Sequence, residues 1–282
     1  MQTAMIKDKI VPFEELDPVY LDRGTFFGDG VYEVLRSYNG RIFALEEHLQ
    51  RFAGSLAGIE ITTVDIDQVR SRVLEAFSAA GIANAKIYFH VTRGSGPRDH
   101  ACGPDLAPNF FLTVTQLSDD TQAKAKGIAV STYPDLRWKR CDIKSLNLLP
   151  NVLARLDAGR KGCEEAIFVD EAGLITEGAA SAFFAISDGT LHTAPLNANI
   201  LPSITRKFVI QAAQNIALPV REESFRPTFA AGADEAFIAV TTRDIVPVVR
   251  FDDKTIGGPG LPAVGLAGKY THLLIDQFRT FT

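Results

Sequence analysis

The chain has little sulfur and no surplus of charge that would mark a partner. Its 282 residues include three cysteines, two methionines and one tryptophan. Cys102, Cys141 and Cys163 are odd in number and far apart, which fits neither a disulfide framework nor a zinc site and leaves buried or inert thiols. There is no basic block: 29 Lys and Arg against 34 Asp and Glu leave a formal charge of −5, so the footprint of a nucleic-acid binder is missing. No apolar run approaches the roughly 18 residues of a membrane helix, and the opening MQTAMIKDKIVPFEEL breaks into charges before a signal-peptide core could form. A cytoplasmic protein without nucleic-acid or membrane partners is expected.

Several motifs begin and fail. Gly28-Asp29-Gly30 opens like a dinucleotide loop, but Glu33 stands where the third glycine belongs and the segment runs into a strand. Gly268-Lys269 lacks the earlier glycine of a P-loop, the five histidines show no paired metal spacing, and no GxSxG elbow occurs. His48, His272 and the cysteines are assigned to packing or solvent, with no metal expected.

What is present is a dense pattern of strands and amphipathic helices. VYEVLRSY, Val31 to Tyr38, followed by Asn39-Gly40 and RIFA, predicts a hairpin with a type I′ turn. Apolar positions Leu45, Leu49, Phe52 and Leu56 predict a helix, and a second runs from Asp65 through Val69, Val73 and Phe77 to Gly81. AKIYFHVTRG and NFFLTVTQL read as strands, and SDDTQAKAKG as a linker. This gives an N-terminal α/β domain over 1–118, a linker over 119–127 and a C-terminal domain over 128–282. In the latter, GIAVSTYP, EAIFVD, SAFFAIS, EAFIAVTT and IVPVVRF read as strands, and NVLARLDAGRKG, SITRKFVIQAAQNIA and GKYTHLLIDQF as helices. Strands outnumber helices without regular alternation, so the fold class is a sheet-rich α+β or mixed α/β architecture whose second half is a closed or nearly closed sheet.

Three strings carry chemistry. DRGTFFGDGVYEV crowds glycines and aromatics at a strand entry, as where backbone approaches a ligand closely. CDIKSLNLLPNVLA sets Lys144 just before an apolar helix, and an amine so placed is a candidate for a Schiff base with an aldehyde. Alone, Lys144 fits a surface lysine with a buried stem better. LITEGAASAFFAIS places Glu177 ahead of small residues and an apolar strand, where it could pair with a protonated ring nitrogen or stand as an exposed turn acid.

Together and in this order, the strings resemble the fold-type IV pyridoxal-phosphate enzymes, the branched-chain and D-amino-acid aminotransferase family, over nearly the whole chain. The resemblance implies a small N-terminal α/β domain and a larger C-terminal pseudo-barrel. It makes Lys144 the lysine that carries pyridoxal 5'-phosphate and Glu177 the partner of the pyridine nitrogen, which turns the ring into an electron sink. It assigns the phosphate to Arg51, Thr205, the backbone of Ile204, and Thr241. SITRK supports this independently as a helix start, where free N–H groups favour an anion, whereas Arg51 on its own would read as a solvated charge.

RGSGPRDH, Arg93 to His100, is a Gly/Pro-punctuated loop ending in two donors one residue apart, which from a strand edge could clamp a carboxylate or could merely face water. The Arg-x-His pair resembles the D-amino-acid branch, in which Arg98, His100 and Tyr32 would bind the substrate α-carboxylate. The reaction implied is ping-pong transfer of an amino group from a D-amino acid of the D-alanine or D-glutamate class to a 2-oxo acid, in a homodimer. Rivals with the same cofactor are an L-branched-chain aminotransferase, an (R)-amine transaminase and an aminodeoxychorismate-type lyase; a rival of another class is a binding module that has lost the chemistry. Val240, Pro150 and Arg243-Asp244 depart from the D-specific pattern, which has serine, glycine and a more neutral pair there, and the last is expected to alter the pocket.

Overall fold

The computed structural model describes residues 2–103, 106–118, 121–197, 199–257 and 268–282. The chain opens with a hairpin of β1 (Thr3–Ile6) and β2 (Lys9–Pro12), not anticipated from sequence, and then a short helix α1 (Arg23–Phe27). β3 (Gly30–Tyr38) and β4 (Arg41–Ile42) form the expected hairpin, with Asn39 at φ 49° and Gly40 at φ 84°, both positive as a type I′ turn requires. Helices α2 (Leu45–Gly58) and α3 (Ile66–Ala80) follow, then β5 (Ala85–Thr92) and β6 (Asn109–Gln116). The sheet is antiparallel in the order β4-β3-β5-β6. The predicted apolar stripes, Leu49, Phe52 and Leu56 of α2 and Val69 and Val73 of α3, pack on Val31, Leu35, Ile87 and Phe89 of this sheet. Asp65 caps α3 by accepting from the N–H groups of Asp67 and Gln68.

The stretch expected as a linker contains α4 (Thr121–Lys126); residues 119–120 lie outside the described part. Then come β7 (Ile128–Pro134), α5 (Leu149–Arg160), β8 (Glu165–Val169), β9 (Ile175–Gly178), β10 (Ala182–Ser187), β11 (Thr190–Thr193), α6 (Ile204–Asn215), β12 (Val220–Glu222), α7 (Pro227–Ala231), β13 (Glu235–Val240), β14 (Asp244–Phe251), β15 (Lys254–Thr255) and α8 (Lys269–Arg279). The large sheet runs β12-β11-β10-β13-β14-β7-β8-β9, with β15 on β14. β9 and β10 are five strand spacings apart along this order, about 24 Å in a flat sheet. Only Ala179–Ser181 connects them, and four residue steps span at most about 14 Å. The sheet therefore curls into a half-barrel, as the expected nearly closed sheet requires. The class is mixed α/β, as expected.

The segment between β7 and α5 leaves its own sheet and joins the other one. Lys144 O accepts from the Tyr32 N–H at 3.0 Å, the Leu146 N–H donates to Gly30 O at 3.0 Å, and Lys144 N–H donates to Ser55 Oγ at 3.1 Å. Glycines 28 and 30 are needed for this docking: a Cβ at Gly28 would stand 2.4 Å from Asn147 Oδ1, and one at Gly30 2.9 Å from Leu146 Cδ1. The close approach expected of a ligand at these glycines is made by the lysine-bearing segment itself. No helix among the described residues is long and apolar enough to cross a membrane.

Candidate active site

A cavity of about 600 Å³ opens where the two sheets meet. From the small sheet and α2 it receives Tyr32, Val34 and Arg51; from the other side come Lys144, Glu177 and Thr241. Lys144 Nζ stands 4.2 Å from the centre of the Tyr32 ring, a cation–π distance. Five expected site residues thus line one space, drawn from positions up to 209 apart in sequence, a separation obtained as 241 − 32.

Arg51 is not a solvated charge. It is nearly buried, its Nε and Nη2 donate to the two oxygens of Glu33 at 2.8 and 2.7 Å, and its Nη1 donates to Pro202 O at 3.1 Å. His48 Nδ1 lies 2.8 Å from the same carboxylate. Burial pushes the Glu33 pKa upward, but the Arg51 charge and the hydrogen bonds from Arg51 and His48 outweigh it and hold the group at about 2. Burial also lowers the His48 pKa, against the pull of Glu33. His48, assigned to packing by sequence, belongs to the support of Arg51. Glu33 was visible only as the residue that spoils a glycine motif.

Glu177 is not an exposed turn acid either: it lies in β9 and is 6% exposed. Its Oε1 accepts from Arg137 Nη1 at 2.5 Å and from the Leu201 N–H at 3.1 Å. Oε2 has no hydrogen-bond partner among the described residues. Arg137 also forms a fork with Asp135, at 2.9 and 2.8 Å, and its guanidinium lies 4.4 Å from the Phe168 ring centre. Burial, only partly countered by Arg137, raises the Glu177 pKa. Arg137 and Asp135 escaped sequence reading because an Asp-x-Arg pair in a loop carries no local signal.

Ser203 caps α6 by accepting from the Arg206 N–H. The N–H groups of Ile204 and Thr205, at the first two helical positions, have no backbone partner among the described residues, as a helix start dictates. Both residues are buried just behind Ser203, which lines the cavity. Thr241 lies in the turn after β13, and Val240 lines the cavity beside it. Pro150 sits in the first turn of α5, where a missing N–H is tolerated. Asp244, expected to alter the pocket, is not among the cavity's lining residues and binds Arg36 at 2.8 Å, Lys124 at 2.7 Å and the Tyr38 hydroxyl.

Arg98 and His100 are not brought to the cavity of their own chain. They lie on an exposed bend beyond β5, not on a strand edge, and pack on Phe27. Of the thiols, Cys141 and Cys163 are buried as expected, but Cys102 is exposed.

A curled sheet joined to a small α/β layer, with a lysine and a buried acid facing one cavity, defines a class of enzyme. The amino-transferase class IV profile matches residues 30–251, and the chain belongs to that family. It is similar to the D-alanine aminotransferase of Staphylococcus haemolyticus, 35% identical across all of this chain and 98% of that one. The Bacillus licheniformis D-alanine aminotransferase is 37% identical over 84% of this chain and 83% of its own. In three dimensions an Escherichia coli branched-chain amino acid aminotransferase superposes with a TM-score of 0.85 at 23% identity, over 97% of this chain and 92% of that one. A putative 4-amino-4-deoxychorismate lyase of Legionella pneumophila reaches 0.81 at 20% identity, covering 98% of each. Two different activities on one backbone mean that the fold alone does not select the substrate.

Proposed function

We propose that this transaminase takes its amino group from D-amino acids of the D-alanine and D-glutamate class and passes it to a 2-oxo acid, using pyridoxal 5'-phosphate. The full-length likeness to D-alanine aminotransferases supports the D-specific choice. The observation that carries the chemistry is the pairing, in one cavity, of the Lys144 amine with a buried carboxylate whose second oxygen has no partner. This donor set fits the cofactor. Arg51, fixed by Glu33 and Pro202 O, and the open N–H groups of Ile204 and Thr205 would hold its phosphate with Thr241. Glu177 Oε2 would accept from its ring nitrogen. When bound, it supplies an electron sink for the charge left when the substrate α-proton departs.

The protein's residues do the rest. Lys144 would bind the cofactor and, displaced by the incoming amine, carry the α-proton as general base and then acid. Tyr32, whose ring centre lies 4.2 Å from Nζ, would join the groups that bind the α-carboxylate beside that amine. Arg98 and His100 would clamp the α-carboxylate. Because they do not line the cavity of their own chain, a second copy of the chain would deliver them, so we place the enzyme as a homodimer. We also set the boundary between two folding units at 119–127, since each side has its own sheet.

The test is to load the protein with pyridoxal phosphate and follow its visible band on adding D-alanine, D-glutamate or L-leucine without acceptor. Rapid bleaching by the D-acids alone is expected; bleaching by L-leucine alone would overturn the D-specific reading, and failure to take up the cofactor would overturn the mechanism. Mixing inactive Lys144→Ala with Arg98→Ala protein, at a D-alanine concentration too low for Arg98→Ala alone to turn over, tests the dimer. Delivery across an interface restores about a quarter of the sites by random pairing of two chains; no recovery on exchange of subunits would place the clamp within one chain.

A further inference from the structure

The stretch carrying Arg98 and His100 is exposed, yet a buried cation holds its backbone. Arg23 of α1 is 5% exposed. Its Nε donates to Asp29 at 2.8 Å, its Nη1 to Asp99 O at 2.5 Å and its Nη2 to His100 O at 3.1 Å. One planar fork thus ties a carboxylate to two successive carbonyls, a geometry a lysine cannot reproduce. One turn along the same helix, the Phe27 ring centre lies 5.3 Å from the Arg98 guanidinium and 5.1 Å from the His100 ring. The base of the loop is fixed as well: the Arg23 N–H donates to Gly94 O at 3.0 Å, and the Gly96 N–H to Leu21 O at 3.1 Å. Arg93 adds a second fork on Asp29, at 2.8 and 3.0 Å.

Exposed loops are ordinarily held loosely, and burying an arginine carries a desolvation penalty that must be offset. Here the fork is aimed at the backbone of the two residues flanking and including His100. What it fixes is the direction in which two side chains, one residue apart, leave the chain. Neither Arg98 nor His100 has a salt bridge or side-chain hydrogen bond among the described residues. Their heads are held by a ring face and by their own backbone, so they are oriented while keeping their donors.

We infer that Arg23, with Phe27 beneath it, is a positioning residue that pre-sets the Arg98-x-His100 pair to grip the carboxylate of the substrate. The inference rests on the carboxylate-clamp reading given above and adds the group that makes the clamp rigid. Pre-setting two donors lowers the ordering entropy lost on binding and leaves the proton transfer at Lys144 alone.

The experiment uses Arg23→Lys, which keeps a cation for Asp29 but loses the fork, and Phe27→Leu, which keeps apolar packing but removes the ring. Steady-state constants are measured for the loaded enzyme with D-alanine and with D-alaninamide, which lacks the carboxylate charge, alongside Arg98→Ala. Both support variants are expected to raise KM for D-alanine roughly tenfold, with a smaller change in kcat and little change with the amide. Equal losses with both substrates, or an unchanged KM for D-alanine, would overturn the inference. If Arg98→Ala raises KM and Arg23→Lys does not, the clamp stands and its support lies elsewhere. If Arg98→Ala leaves KM unchanged, the clamp reading fails and the inference with it.

Discussion

Two buried glutamates stand on different sheets, Glu177 lining the cavity and Glu33 behind Arg51, and their pKa values are shifted in opposite directions. Glu33, on the small sheet, is gripped on both oxygens by Arg51 and approached by His48, and these contacts hold its pKa at about 2 despite complete burial. Glu177, on the half-barrel, shares its one arginine with Asp135 and is held by a single oxygen, and burial raises its pKa. Two acids with one cation leave a net negative charge, so the second site is electrostatically unfinished. A saturated acid is part of the framework, whereas an acid with an unused oxygen facing a cavity is waiting for a cationic partner.

The comparison is broken hardest by removing each charge in turn. Glu33→Gln should cost about 3–5 kcal/mol of stability, because it strands Arg51 in a buried setting. Glu177→Gln should leave stability at neutral pH unchanged or slightly higher, yet lower kcat/KM by more than about a hundredfold, the range for loss of an electrostatic partner at the reacting group. Urea unfolding of the cofactor-free protein and steady-state kinetics of the loaded enzyme measure the two effects. Equal destabilisation by both variants would erase the distinction.

The pH dependence sharpens it. Glu33 has a folded pKa below its unfolded value, so its contribution is fully present above about pH 4.5 and is lost as pH falls toward about 2. Glu177 has a folded pKa above its unfolded value of about 4.5, so its contribution is favourable below that pH and is lost as pH rises through the folded value. Cofactor-free wild type and Glu177→Gln should therefore diverge on the alkaline side of pH 4.5, and wild type and Glu33→Gln should converge on the acid side. A ring nitrogen that keeps its proton beside Glu177 would supply the missing positive charge and remove the first divergence.

This asymmetry also shows where the sequence was legible. The Asn39-Gly40 hairpin, the stripes of α2 and α3 and the Ser203 helix start are set by neighbours within a few residues, and they could be read. Lys144, Glu177 and Arg51 were legible as chemistry because the strings around them resemble a family. Their surroundings were not, because each is completed from far away: Lys144 by Tyr32 and Ser55 of the N-terminal part, Glu177 by Arg137 forty residues earlier, Arg51 by a glutamate on β3. The Arg98-x-His100 spacing suggested a strand edge, but the pair lies on an exposed bend whose Asp99 and His100 carbonyls are bound by Arg23, a residue 76 and 77 positions earlier. Burial of Glu33 and Glu177 follows from which sheet face meets the other layer, and alternation alone does not reveal that.

The smallest effect is read from a third ionisable group on the Glu177 side. Cys141 lines the same cavity, and its Sγ donates to Trp138 O at 3.1 Å. Burial pushes its thiol up to about 11, with Arg137 pulling down and Glu177 pushing further up. At pH 8 a disulfide reagent should therefore modify the exposed Cys102 first, leaving Cys141 slow because so little thiolate is present. Glu177→Gln removes one acid that opposes ionisation, so Cys141 labelling in the cofactor-free protein should accelerate a few-fold, as expected for a modest shift in thiolate fraction. Glu33→Gln, behind Arg51 and outside the cavity lining, should leave that rate unchanged under conditions where the protein stays folded. An equal acceleration in both variants would mean that the two carboxylates share one electrostatic environment, and the contrast between a finished site and an unfinished one would be lost.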